Sequence, residues 1–267
     1  MSVQTLYTAA TGMDAMQTKL DVIANNLANI NTTAFKKDRA NFEDLLYRNV
    51  TLPGVLDATQ QPTPTGIQIG LGARVQSTTT DFRQGAFQQT GRELDVAIEG
   101  SGFIQVIDPQ TQQIQFTRSG NLDINANGNL VIGSAQTGRA LEPPITIPQD
   151  AMRIQISPNG QVLVKSSGVV EMQQIGQLQM AQFINPDGLL KVGENLYEQT
   201  DASSAAILGD PGTNGLGVLR QGSLEASNVE PVQELIDLIT TQRGFELNSQ
   251  AIQAGDQLLQ QIANLRR

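Results

Sequence analysis

The sequence predicts an α+β protein in which discontinuous terminal helices form a coiled-coil domain and a β-rich antiparallel domain fills the centre. Three observations predict it: an apolar seam from Leu6 to Ile30, a second helical pattern from Ser227 onward, and short alternating runs between them.

The first element is an N-terminal helical segment over residues 1–40. Leu6, Ala9, Met13, Met16, Leu20, Ile23, Leu27 and Ile30 alternate steps of three and four, the repeat of a coiled-coil seam. Gly12 inside the pattern weakens a helix by about 1 kcal/mol relative to Ala, so packing must supply the stability. Asn25, Asn26 and Asn29 lie off the seam, although asparagine is a poor helix former that favours caps and turns. The basic run Lys36 to Arg39 reads as a solvated patch.

Residues 41–73 come next and show little periodicity. With Pro53, Pro62 and Pro64 they predict an extended connector or arm, because proline restricts φ and removes backbone donors. Long irregular segments of this kind are functional or disordered.

Residues 74–224 predict the β-rich domain. Runs such as "DVAIEG", "GFIQVI" and "MRIQISPNGQVLVK" alternate in polarity, and Asn127-Gly128, Asn159-Gly160 and Asp187-Gly188 supply hairpin-type turns. Asp123, Asn125, Asn127 and Gly128 open like a calcium loop. The closing acid would fall at Ser134, so a turn is the better reading. "GLGARV" and "GSGFI" complete no phosphate-binding motif and read as tight turns or close backbone approach. Asp95 and Glu99 share a strand face roughly 13 Å apart, too far for either usual glycosidase arrangement, and read as an outer solubilising face.

The last element is a helix over residues 225–267. Ser227 and Glu230 have capping-box spacing, Pro231 suits the opening turn, and Arg266 and Arg267 suit the closing end. Leu238, Phe245, Ile252 and Leu259 recur every seven residues, while Leu247, Ala251, Ala254, Leu258 and Leu265 form a second stripe. One stripe can pack on the N-terminal helix. The β-rich centre offers no helical layer for the other.

Composition narrows the function. The chain of 267 residues contains no Cys, His or Trp. That excludes disulfides, thiol nucleophiles, Ser-His-Asp triads and the common zinc sites. A net charge of -9 argues against nucleic acid as a partner. No apolar run is long enough to span a membrane, so no membrane insertion is expected, and the first residues do not read as a cleaved signal. Carboxylate chemistry stays open.

"ANNLANINTTAFKK" at Ala24–Lys37 and "SNVEPVQELIDLITTQRGFELNSQAI" at Ser227–Ile252 resemble the terminal signatures of the bacterial flagellar rod and hook family. "DVAIEGSGFIQV" at Asp95–Val106 and "GENLY" at Gly193–Tyr197 resemble further family segments. The chain departs from the pattern at Ala34, where the family often has glycine in a tight turn. Its length suits a rod subunit, and residues 47–70 resemble an insertion associated with the straight, distal part of the rod. Proximal rod or hook-type subunits are the alternative within the family, and a periplasmic carboxylate-based glycan hydrolase is the alternative outside it.

The resemblance implies a structural, non-catalytic subunit of the basal body without cofactors. It implies self-assembly into a helical homopolymer that spans the periplasm and transmits torque, through terminal helices that line the tube. The implied partners are further copies, other rod and hook subunits, the surrounding basal-body rings and the type III export apparatus, which needs no cleaved signal. On this reading the amides of Asn25, Asn26 and Asn29 hydrogen-bond neighbouring subunits, unless these residues simply end the helix.

Overall fold

A computed structural model describes residues 3–54, 64–133, 138–168 and 171–265. Pro62, Ser134, Arg266 and Arg267 lie outside them. Two helices flank an antiparallel β-rich centre, the α+β class expected. The chain divides into two compact units, one of Met1–Ala28, Asp38–Thr80 and Glu230–Arg267, the other of Asn29–Lys37 and Asp81–Val229.

The first unit contains helices α1 (Val3–Ala28) and α2 (Pro231–Leu265), running antiparallel. Gly12 faces Asn248, Gly244 faces Met16, and Asn26 meets Glu234. Gly12 is thereby explained, since a Cβ there would lie 2.9 Å from the Asn248 amide nitrogen. The helix trades intrinsic propensity for close approach to its partner.

The seam ends earlier than Ile30. Helix α1 stops at Ala28, where Thr32 N–H donates to the Asn29 carbonyl (3.1 Å) and Thr32 Oγ1 to Asn29 Oδ1 (3.1 Å). These local bonds give the chain an alternative to another helical turn.

Helix α2 begins at Pro231, with its fixed φ in the first turn. The capping box does not form as expected, because Ser227 lies too far upstream and its Oγ accepts from Val229 N–H (3.3 Å).

The segment expected as an irregular arm forms two antiparallel ribbons. Strand β1 (Asp38–Asp44) pairs with β4 (Ala73–Thr80), and β2 (Tyr47–Thr51) pairs with β3 (Ile67–Gly70). Asn41 Nδ2 bridges the first ribbon to Ser77 (3.1 Å) and Thr79 (3.2 Å), and an Arg74–Glu43 ion pair adds a second link. Strands β2 and β3 are short and almost wholly exposed, so burial does not impose a long alternating pattern on them. Pro53 and Pro64 fall in the connection between β2 and β3, where no ladder donor is required.

In the second unit, the described residues include a nine-stranded antiparallel sheet. Its main path runs Leu190–Gly193, Leu196–Glu198, Ile114–Thr117, Phe103–Ile107, Gly138–Leu141, Leu130–Gly133, Leu122–Ile124. Met180–Gln182 also pairs with Phe103–Ile107 and carries Ile207–Gly209 on its other edge. A three-stranded sheet joins Ala151–Ile156, Gln161–Ser166 and Gln173–Gln177. The main core gathers Ile98, Ile104, Leu122, Leu130, Val162 and Met180, all fully buried, and a second cluster stacks Phe103, Phe116, Phe183 and Tyr197.

Two of the three expected turns join adjacent strands. Gly128 and Gly160 have φ of 84° and 87° and close hairpins. Asp187-Gly188 lies instead in a 3-10 turn (Pro186–Gly188), because Pro186 presets φ for that geometry. The calcium-like run is a turn tied by its own amide, with Asn125 Oδ1 accepting from Asn127 N–H (3.0 Å) and Asn129 N–H (2.9 Å). Gly72 and Gly102 mark close approaches, as "GLGARV" and "GSGFI" suggested: added Cβ atoms would lie 2.2 Å from Thr11 Oγ1 and Met180 Cε respectively.

Candidate assembly surface

Helix α2 presents two unlike faces. Leu238, Phe245, Ile252 and Leu259 are half-buried, as are Leu6, Met13, Met16, Leu20 and Leu27 of α1, and Ile23 is buried. The other face stays bare. Leu247 is 64% exposed, Val232, Ile236, Ile239 and Leu258 are also exposed, and so are Ala251 and Ala254. Single exposed apolar residues are ordinary, but a stripe at helical spacing marks a surface that buries itself on something else.

The β2–β3 hairpin is a second such surface. Leu46 is 81% exposed, and Tyr47, Val50, Leu52 and Ile67 are all more than half exposed. A two-stranded ribbon with uncovered apolar side chains is unstable by itself and a ready docking element.

The three asparagines separate. Asn25 is exposed, and Asn29 sits in the turn that ends α1. Asn26 is buried, contrary to the expectation that it meets a neighbour. Its Nδ2 donates to the Asp38 carbonyl (2.9 Å) and Glu234 Oε2 (3.3 Å), and its Oδ1 accepts from Asp38 N–H (2.9 Å). It pairs a backbone unit as another backbone would, so only an amide of this length serves.

Residues 29–37 form part of the β unit, which corrects the reading of Lys36 as solvated. Lys36 has no exposed surface: its Nζ donates to Glu225 Oε1 (2.5 Å) and the Arg83 carbonyl (2.8 Å). Glu225 also accepts from Arg118 Nε (3.0 Å) and Gly85 N–H (2.9 Å), and Arg118 donates onward to the carbonyls of Gly102 (3.2 Å) and Gly100 (2.9 Å). Burial, and then the neighbouring Arg118 charge, hold the Lys36 ammonium below the usual lysine pKa despite the Glu225 carboxylate. Lys191 reaches the same segment, donating to the Lys36 carbonyl (3.1 Å) and lying 5.3 Å from the Phe35 ring centroid. Sequence reasoning missed this cluster because Lys36 and Glu225 are 189 residues apart.

Ala34 keeps the left-handed turn without glycine. Its φ is 57°, it is 1% exposed, and its N–H donates to the Glu225 carbonyl (2.8 Å). Ala34→Val should cost about 2 kcal/mol in urea unfolding, since a branched side chain tolerates that φ poorly, whereas Ala34→Gly should change stability by less than about 1 kcal/mol. Equal stability of the Val variant would mean that the turn relaxes elsewhere.

Asp95 is buried beside Arg92 (3.5 Å), where an outer face was expected, and Glu99 is exposed. Among the described residues no cluster of Asp and Glu could hold a metal ion.

Paired chain ends in one helical unit, an antiparallel β unit and uncovered apolar surface on the helices define an α+β protein with bare apolar faces. Three family models match: "Flagella basal body rod protein" at residues 6–36, "Flagellar hook protein FlgE/F/G D1 domain" at 97–164, and "Flagellar basal body rod FlgEFG protein C-terminal" at 220–265. The chain is 43% identical to the flagellar basal-body rod protein FlgG of Caulobacter vibrioides, over 99% of this chain and 100% of the relative. It is 44% identical to that of Agrobacterium fabrum, over 96% and 97% respectively. The chain belongs to the FlgG family of flagellar basal-body rod proteins.

Proposed function

We propose that this chain is a structural subunit of the distal rod, without a catalytic role, and that its copies assemble into a straight helical tube that crosses the periplasm and transmits torque. The uncovered apolar stripe of α2 carries this reading, because it lies along a helix whose opposite face is already packed on α1. The self-assembly helices would use Leu6, Met13, Met16, Leu20, Ile23 and Leu27 with Leu238, Phe245, Ile252 and Leu259 to form each subunit's pair. Leu247 and Leu258 would face the next copy. Further partners are other rod and hook subunits, the basal-body rings and the type III export apparatus that delivers the unfolded chain. Electron microscopy of the purified, concentrated protein tests the reading: straight tubes are expected, and a monomer at every concentration overturns it.

The β2–β3 hairpin, with Pro53 and Pro64 in its connection, is proposed as the stiffening element. A paired ribbon bridging copies opposes the sliding that bending requires. Deleting residues 48–66 should leave a chain that polymerises into curved or bendable tubes. Tubes of unchanged bending stiffness would make the hairpin a mere tether.

A further inference from the structure

The sequence contains three Asn-Gly pairs, and the fold holds them differently. In Asn127-Gly128 and Asn159-Gly160 the glycine is the last residue of its turn. Its N–H closes that turn, Gly128 donating to the Asn125 carbonyl and Gly160 to the Ser157 carbonyl (2.9 Å each). Each glycine is tethered again at its own carbonyl, which accepts from Ile147 N–H and Leu178 N–H respectively (2.7 Å each). The third pair, Asn214-Gly215, lies in the loop between Ile207–Gly209 and Val218–Gln221. Here asparagine and glycine are the two central residues, with φ of 51° and 82°, and Leu216 N–H closes the turn around them on the Thr213 carbonyl (2.8 Å). Both are exposed, and among the described residues no hydrogen bond holds either one.

We propose that Asn214 is a site of spontaneous deamidation, a covalent change that the fold confines to this one pair. The Gly215 amide nitrogen forms a bond to the Asn214 side-chain carbonyl carbon, Cγ. The Cγ–Nδ2 bond breaks, that nitrogen leaves as ammonia with the proton given up by Gly215, and a cyclic succinimide remains. Water then opens the ring at either carbonyl to leave aspartate or isoaspartate, and no other reactant is needed. Glycine permits the attack because it has no Cβ to crowd the nitrogen. At the other two pairs the same nitrogen is turned inward, and its tethers must break before it can reach Cγ. A tenfold difference in rate corresponds to about 1.4 kcal/mol, roughly the net worth of one such bond, so two tethers suffice for that protection. Either product adds a negative charge, and isoaspartate also lengthens the main chain. The change reaches the core, since Leu216 is 6% exposed within the main cluster and Gly217 N–H donates to the Ser101 carbonyl (2.7 Å).

The three pairs fall in three different tryptic peptides, Ser119–Arg139, Ile154–Lys165 and Val192–Arg220. When the folded full chain is held in mildly alkaline buffer, mass spectrometry should find the mass gain of deamidation in Val192–Arg220 at least about tenfold faster than in the other two. In concentrated urea, where the turns are lost, the three rates should converge. Equal rates in the folded chain, or a faster gain at Asn127 or Asn159, overturn the proposal. The same preference surviving in urea would place its cause in the local sequence and overturn the role of the fold. Asn214→Gly keeps a residue that suits positive φ and should abolish the gain in Val192–Arg220, whereas a gain that persists overturns Asn214 as the site. Aged copies of the unaltered chain should unfold at lower urea than Asn214→Gly copies aged beside them. Equal midpoints would overturn the reach of the change into the core.

Discussion

Glu225→Gln should be among the most damaging single substitutions in the β unit, and adding Lys36→Met should repair much of the damage. Glu225 neutralises one of two buried cations, Lys36 and Arg118, none of the three side chains being more than 4% exposed. Removing one partner of a buried ionic cluster costs about 3–5 kcal/mol, because the remaining charges stay buried without compensation. That is a large share of the 5–15 kcal/mol or so by which a domain is stable. In the single variant the cluster carries two positive charges and no negative one. In the double variant only Arg118 remains charged, which restores the net charge of the original cluster although more contacts have been removed. Urea unfolding of the full chain would show this as a midpoint that falls with Glu225→Gln and recovers when Lys36→Met is added. A double variant no more stable than the single one would mean that lost hydrogen bonds, not buried charge, set the cost. The two residues touch, so non-additivity is itself the readout.

The same cluster shows where sequence reasoning stops. Periodicity is a local signal, and it served for the helices: the heptad of Leu238, Phe245, Ile252 and Leu259 lies on the half-buried side of α2, and Leu247 lies on the bare side. Turn chemistry served at Asn127-Gly128 and Asn159-Gly160 for the same reason, since each turn is settled within a few residues. Lys36 was illegible because its environment is made by Arg118 and Glu225, brought from distant parts of the chain. Asn26 was illegible in a different way. It lies off the apolar seam, where the resemblance implies an amide that meets a neighbouring subunit, whereas its amide replaces a backbone partner for Asp38 inside the subunit. The β2–β3 ribbon escaped notice because alternation reports a half-buried strand, and β2 and β3 lie almost wholly in solvent.

Leu247→Ser should separate folding from assembly along one helix. Leu247 is 64% exposed in the single chain, so its replacement should leave the monomer's unfolding free energy within about 0.5 kcal/mol of the original. Phe245, two residues away, is half-buried on the side of the Leu238–Leu259 heptad, and Phe245→Ala should cost about 2 kcal/mol in the same measurement, part of the loss expected for a fully buried ring. Assembly should reverse the order of interest. Burying a leucine is worth about 2 kcal/mol, and that loss recurs at every subunit added, so the concentration at which Leu247→Ser forms tubes should rise roughly thirtyfold. Sedimentation across a concentration series, run beside urea unfolding of the monomer, measures both quantities. If Leu247→Ser lowers the monomer's midpoint as much as Phe245→Ala does, the second stripe packs within its own chain. If tubes form at the original concentration, that stripe faces solvent in the polymer, and subunit contacts must be carried by other surfaces such as the hairpin.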